Sequence, residues 1–420
     1  MQLHVKGGRV VDPASGRDAV GDVFVSDGKF VASLKGKAER VIDAKGLVVA
    51  PGFIDLAARL REPGQEYKAT LESEMDAAVA GGVTSLACPP DTDPPLDEPG
   101  LVDMLRRRAK SLSRARVYPV GALTVKLAGS ALTEMAELAE AGCVAFSHAN
   151  APLADTQVLW RALQYASTFG FSVWLRCEDA ALARGGVAHD GEVATRLGLA
   201  GIPAFAETIA LGTLLELVRA TGARVHVCRL SSAGAVELMR KAKAEGLPIS
   251  CDVAIHHVHL CDMDLGYFDS HCRLEPPLRS QRDRDALARA LAEGVIDCLC
   301  SDHTPVDEDG KNVPFAQAEP GATGLELLLP LTLKWGEAQK LPLATTLARI
   351  SSDPARILGV ESGRIAAGAP GDLALFDPAA EHRVAPETLK SQGKNTPFLG
   401  YSLPGRVRYT VVAGNIVHES

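Results

Sequence analysis

The sequence predicts an α/β protein: a (β/α)8 barrel of the TIM type carrying a small β-sandwich built from both chain ends. Two observations predict it. Eight short apolar runs alternate with helical stretches through the middle of the chain, the pattern of a parallel sheet wrapped by helices. Both ends are instead rich in short strands and turns, and neither end is long enough to bury a core alone. The expected division is 1–50 together with 360–420 for the sandwich and 51–359 for the barrel. An open doubly wound sheet is the competing topology, but no GxGxxG follows the first barrel strand to build a dinucleotide crevice.

At the N-terminal end, Arg9-Val10-Val11, Asp22-Val23-Phe24-Val25, Val41-Ile42-Asp43 and Leu47-Val48-Val49 read as strands, with Asp27-Gly28 as a hairpin turn. The barrel strands are expected at Gly52–Leu56, Val83–Cys88, Val117–Val120, Cys143–Phe146, Ser172–Leu175, Arg224–Cys228, Pro248–Val253 and Val295–Cys300. Helical periodicity lies between them, for example over Leu71–Ala80, Val158–Thr168, Ala206–Arg219 and Arg282–Glu293. The C-terminal end returns to strands at Asp372–Phe376, Arg406–Val412 and Asn415–Val417.

Composition narrows the function class. A 46% hydrophobic and 23% charged chain fits a globular protein with a large core. A net charge of −8 argues against nucleic acid or an anionic membrane as the main partner. No run of 18 apolar residues and no leader-like N-terminus is visible, so a cytoplasmic protein is expected. The nine cysteines form no CxxC pair and read as reduced, buried thiols.

The chemistry of such a barrel sits where its strands end. Strand one is followed by Ala57-Ala58-Arg59-Leu60-Arg61 and strand four by His148-Ala149-Asn150. Strand five ends at Arg176, strand six at Arg229 and strand eight at Asp302-His303. Four arginines therefore converge on one mouth: Arg59, Arg61, Arg176 and Arg229. A guanidinium has no lone pair to offer a metal and stays protonated. Two like charges about 4 Å apart repel by roughly 4 kcal/mol at an effective dielectric of about 20, and a divalent ion doubles that. Arg59, Arg176 and Arg229 are expected to pair with Asp302, Glu178, Asp91 or Glu275.

Residues 52–70, GFIDLAARLREPGQEYKAT, resemble the dihydroorotase signature of the amidohydrolase superfamily. Glu275-Pro276-Pro277-Leu278-Arg279, Asp302-His303-Thr304-Pro305 and Gly393-Lys394-Asn395-Thr396-Pro397-Phe398 agree with it. The resemblance spans essentially the whole chain and implies an amidohydrolase-type barrel. It also implies where metal ligands stand in active members, and most of those positions are changed here. The His-x-His pair matches Ala57 and Arg59, and the bridging residue of strand four falls near His148 and Ala149. The histidine ligands of strands five and six match Arg176 and Arg229. Only the strand-eight aspartate is kept, as Asp302.

Of the substrate positions the resemblance implies, the carboxylate-gripping arginine is kept as Arg61. Two asparagines become Asp91 and Glu275, and a histidine is lost at Val306. The expectation is a chain without zinc or other cofactor and without dihydroorotase activity. Inactive homologues of this kind partner aspartate transcarbamoylase, so the resemblance implies an assembly role beside its catalytic chain, as a homodimer within a hetero-oligomer.

Two other readings stand beside it. One is an active cyclic amidohydrolase with a relocated or reduced metal site around His148, Asp302 and His303. The other is a sensor whose arginine-rich mouth binds an anion. His256-His257-x-His259 and Cys298-x-Cys300 read as structural, and Gly64 and Gly393 as turn residues.

Overall fold

The computed structural model describes residues 2–420. Its eight parallel barrel strands are Phe53–Asp55, Val83–Cys88, Arg116–Ala122, Ala145–Ser147, Ser172–Leu175, Arg224–Val227, Ile249–Ala254 and Cys298–Cys300, and each pairs with the next in sequence order. The first and eighth strands do not pair along their length. Closure comes just past their ends, where Arg59 N donates to the His303 carbonyl (2.9 Å) and His303 N to the Ala57 carbonyl (3.0 Å). The ring is thus tied at the level of the arginines and Asp302.

Local chemistry sets the helices between. The helix Leu71–Ala80 starts at Thr70, whose hydroxyl accepts from Ser73 N while the Ser73 hydroxyl accepts from Thr70 N. This reciprocal cap satisfies two end donors. Helices Thr156–Phe169, Ala204–Thr221 and Gln281–Glu293 each end in a glycine with positive φ, the conformation that releases the chain from a helix without a Cβ clash.

The two chain ends join as one hydrogen-bonded sheet of eight strands. Gln2–Asp12 pairs with Arg17–Ser26 on one side and with Arg40–Asp43 and Val48–Pro51 on the other. Val48–Pro51 then pairs antiparallel with Leu373–Arg383, followed by Ser402–Val412 and Asn415–Glu419. Leu3, Val5, Val25, Phe30, Val49 and Leu375 form a core of its own for this unit. The hairpin at Asp27-Gly28 has positive φ at both residues (50° and 78°), as a two-residue primed turn requires.

The nine cysteines are free thiols, eight buried and Cys228 half-buried. Cys298 and Cys300 are fully buried in apolar clusters with barrel residues. Among the described residues no helix is long and apolar enough to cross a membrane. Gly64 is a true turn position, with φ +91° and the Asp93 carbonyl oxygen 1.9 Å from where a Cβ would stand. Gly393 corrects the expectation of a turn: its φ is not positive, and what it permits is close approach to Pro305, 2.8 Å from a would-be Cβ.

Candidate functional site

The barrel mouth is built on strained backbone. Arg61 (φ 61°), Ala149 (φ 51°), Arg229 (φ 56°) and Asp302 (φ 46°) all adopt the left-handed region just beyond strand ends. Each non-glycine residue held there costs on the order of 1 kcal/mol or more, and such residues cluster at functional sites.

At its centre lies Asp302. Its Oδ1 accepts from Arg229 Nη1 at 3.0 Å and from Arg59 Nη1 at 3.3 Å. Arg59 is fixed further by Asp91, whose Oδ2 accepts from Nε at 2.7 Å, and by the Thr304 hydroxyl at 3.1 Å. Arg229 also donates to the Asn150 side-chain oxygen (2.6 Å) and the Glu275 carbonyl (3.2 Å). Both arginines and Asp302 are 5–6% exposed. Burial alone would push the two guanidiniums towards neutrality, but the surrounding carboxylates outweigh it and raise both above the usual arginine value. Burial likewise pushes Asp91 up, and Arg59 and Arg61 more than reverse it, holding that carboxyl below the ordinary range.

A second ionic group adjoins the first. Arg176 lies 2.7 Å from Glu275 Oε1 and 2.9 Å from Glu178 Oε1. A cavity of about 530 Å³ opens beside it, lined also by His148, Ala149, Leu159 and Thr213. Arg61 turns from this network: its Nε donates to the Pro305 carbonyl (2.9 Å) and its Nη1 to Gln65 (2.9 Å). Burial and the neighbouring Arg59 lower its pKa. Val306 is buried, its N–H donating to Asn395. Ala57 is buried at the mouth against Ala254 and Cys300.

His148 is buried, with Nε2 2.8 Å from the Thr124 hydroxyl and Nδ1 2.9 Å from the Ala151 carbonyl, and burial lowers its pKa. His303 is fully buried, with Nε2 2.5 Å from Glu74 Oε2 and Nδ1 accepting from Gly324 N. His256 stacks on Phe398, His257 faces the Pro276 and Pro277 carbonyls, and His259 faces the Leu331 carbonyl. The triplet therefore has structural partners.

A family model described as dihydro-orotase-like matches residues 46–235, and one for the amidohydrolase family matches 187–417. A dihydroorotase-like protein of Pseudomonas aeruginosa is 46% identical, covering all of both chains. The chain belongs to the dihydroorotase-like amidohydrolases. A dihydroorotase of Geobacter sp. is 41% identical, again over both full lengths. Among solved structures, the L-hydantoinase of Arthrobacter aurescens superposes with a TM-score of 0.88 at 25% identity, covering 99% of this chain and 96% of that one.

An amidohydrolase barrel of this family implies a metal at the mouth, so the donor set of this dihydroorotase-like chain can be tested against one. Of the ligand positions the mouth keeps one carboxylate, Asp302, whose Oδ1 is already shared by two guanidiniums; the other carboxylates there, Asp91, Glu178 and Glu275, are each paired with an arginine, and methyl groups stand at Ala57 and Ala149. Divalent ions take imidazole, thiolate or carboxylate donors, and this set does not fit. The relocated grouping fares no better, because His148 and His303 are each committed to partners of their own.

Among the described residues the three-donor set that stands close enough for a metal is His226, Cys228 and Asp252. There the His226 ring already bridges Ser250 (2.8 Å) and Asp252 (2.9 Å). Sequence reasoning missed Asn150 and Thr304 as partners of the arginines. Both stand within two residues of strand-end positions that were singled out, and adjacency was the only signal that could have found them.

Proposed function

We propose that this chain is a non-catalytic dihydroorotase-like subunit that acts in assembly, with the catalytic chain of aspartate transcarbamoylase as its partner. The observation that carries the non-catalytic part is Asp302 Oδ1 held between Arg59 and Arg229. Opening a cyclic amide with water at neutral pH needs a hydroxide-like nucleophile, which enzymes of this kind obtain from metal-bound water whose pKa falls from about 15.7 towards 7. Guanidinium groups stand at the ligand positions that the resemblance implies, and the carboxylates Asp91 and Glu275, at positions where it implies amides, are bonded to Arg59 and Arg176. The buried ion pairs keep the mouth ordered without a cation.

The partner rests on the family resemblance alone. Co-expression with the transcarbamoylase catalytic chain, followed by size exclusion, tests it: one shared peak supports the assembly role, and two separate peaks remove it.

A second reading is an active dihydroorotase with a reduced metal site. The relatives named dihydroorotase, at 40–42% identity over nearly the whole chain, favour it. Metal analysis alongside a dihydroorotate turnover assay decides. Stoichiometric zinc with turnover replaces the first reading; neither metal nor turnover sustains it.

A further inference from the structure

Away from the mouth, the helix Pro99–Leu112 and the start of the third barrel strand enclose a cleft of about 760 Å³. Its walls carry Arg106, Arg107, Lys110, Arg114 and Arg116 against one acid, Asp103. Five cations facing one carboxylate is a local excess that opposes the chain's net charge of −8. Two of the five are neutralised from outside the cleft, Arg114 by Asp76 (2.6 Å) and Arg116 by Asp372. The other three keep their charge available. Lys110 has no acidic partner among the described residues, and Arg107 has only Asp103 at 3.9 Å.

Arg106 is placed rather than loose. Its Nη1 donates to the Ala141 carbonyl at 2.5 Å, and its guanidinium lies where a Cβ on Gly142 would stand, 2.4 Å from that position at φ +112°. A neutral carbonyl fixes this side chain without cancelling its charge. The cleft floor is apolar and aromatic, formed by Val117, Tyr118 and Val144.

We propose that this cleft binds an oligophosphate anion. Guanidinium forks and a lysine match phosphate oxygens, and the volume lies within the range of about 300–1,000 Å³ typical of small-molecule sites. Concavity and an apolar floor favour a small molecule over a flat nucleic-acid track. The phosphate chain could come free or carried on a nucleoside, whose base would meet Tyr118.

Calorimetric titration of the full chain with inorganic tripolyphosphate, ATP and UTP tests the site. The comparison is with Arg107→Ala/Lys110→Ala, two exposed positions on the helix Pro99–Leu112. The expected result is saturable one-to-one binding that weakens about tenfold or more in the double variant, since one charge-assisted hydrogen bond carries that much, with an unchanged melting midpoint. Tighter binding of ATP or UTP than of tripolyphosphate identifies the nucleoside-borne source, and equal binding identifies the free chain. Absence of saturable binding, equal affinity in the double variant, or tight binding of a single-stranded oligonucleotide that tripolyphosphate fails to displace overturns the proposal.

Discussion

Arg59 and Arg229 meet on one oxygen of Asp302, although 170 residues separate them in the chain. The shared carboxylate lets two buried like charges sit at one mouth, because its negative oxygen lies within 3.3 Å of both and offsets their mutual repulsion. Removing one partner of a buried pair costs about 3–5 kcal/mol, since the remaining charge stays buried and uncompensated. Arg229→Ala is expected to lose stability on that scale, read from urea denaturation. Arg59 still holds Asp302 in that variant, which places the loss at the lower end.

Arg176→Ala is expected to cost less, about 1–3 kcal/mol by loss of charge-assisted hydrogen bonds. Its partners Glu275 and Glu178 are 26% and 13% exposed, so water can reach both in place of the guanidinium. Unchanged melting midpoints in both Arg176→Ala and Arg229→Ala would mean the arginines do not order the mouth.

Three buried histidines predict acid sensitivity. Burial pushes His256 down to about 3 and His257 and His259 down to about 4, against about 6.5 in an unfolded chain. Below that unfolded value the denatured chain takes up protons that the fold refuses. Stability is therefore full above about pH 6.5 and is lost as pH falls towards the folded values, by about 1.4 kcal/mol per pH unit for each histidine. His256→Phe keeps the stacking on Phe398 and removes one titrating ring. Urea midpoints between pH 7 and 5 should fall less steeply in that variant; parallel slopes would show that His256 does not titrate this way.

Features of this chain with local causes stand in the sequence itself, and those set by distant contacts do not. The helix Leu71–Ala80 has the ends that its sequence pattern gives, between the capping Thr70 and Gly81. The eighth strand came out shorter than its apolar run: Val295 and Ile296 are buried, but their N–H groups bond back to Ala290 at the end of the preceding helix. The arginines were legible as strand-end residues, and their partners were legible only as a set of acids. That Asp302 serves two arginines while Arg61 turns to the Pro305 carbonyl depends on backbone conformation at positive φ, which residue type alone does not reveal. The cleft beside the helix Pro99–Leu112 needed the fold to bring Gly142 under Arg106.

The donor chemistry at the mouth makes a prediction about metal dependence. A ligand that binds only the folded chain raises its stability, by about 2.7 kcal/mol at 100 times its dissociation constant. Dialysis against a chelator, or addition of zinc, is expected to leave the thermal midpoint where it was. A rise with zinc that Asp302→Asn abolishes would place an ion at the mouth and favour the active reading.

Gly64 lies in the loop that follows the first barrel strand, packed against Asp93, and its substitution separates backbone from charge. The turn it makes brings Asp93 N to the Pro63 carbonyl (3.0 Å), two residues after Asp91, the partner of Arg59. Gly64→Ala would place a methyl 1.9 Å from the Asp93 carbonyl oxygen at a φ of +91°. Neither strain nor clash can relax without moving that backbone, so a loss of more than about 1 kcal/mol is expected. The loss should be smaller in an Asp91→Asn background, where the Arg59 contact is already weakened and less depends on the loop's position. A double-mutant cycle by urea denaturation measures that coupling. Strict additivity would show that the turn and the Arg59–Asp91 pair are independent, and that the loop does not hold the arginine in place.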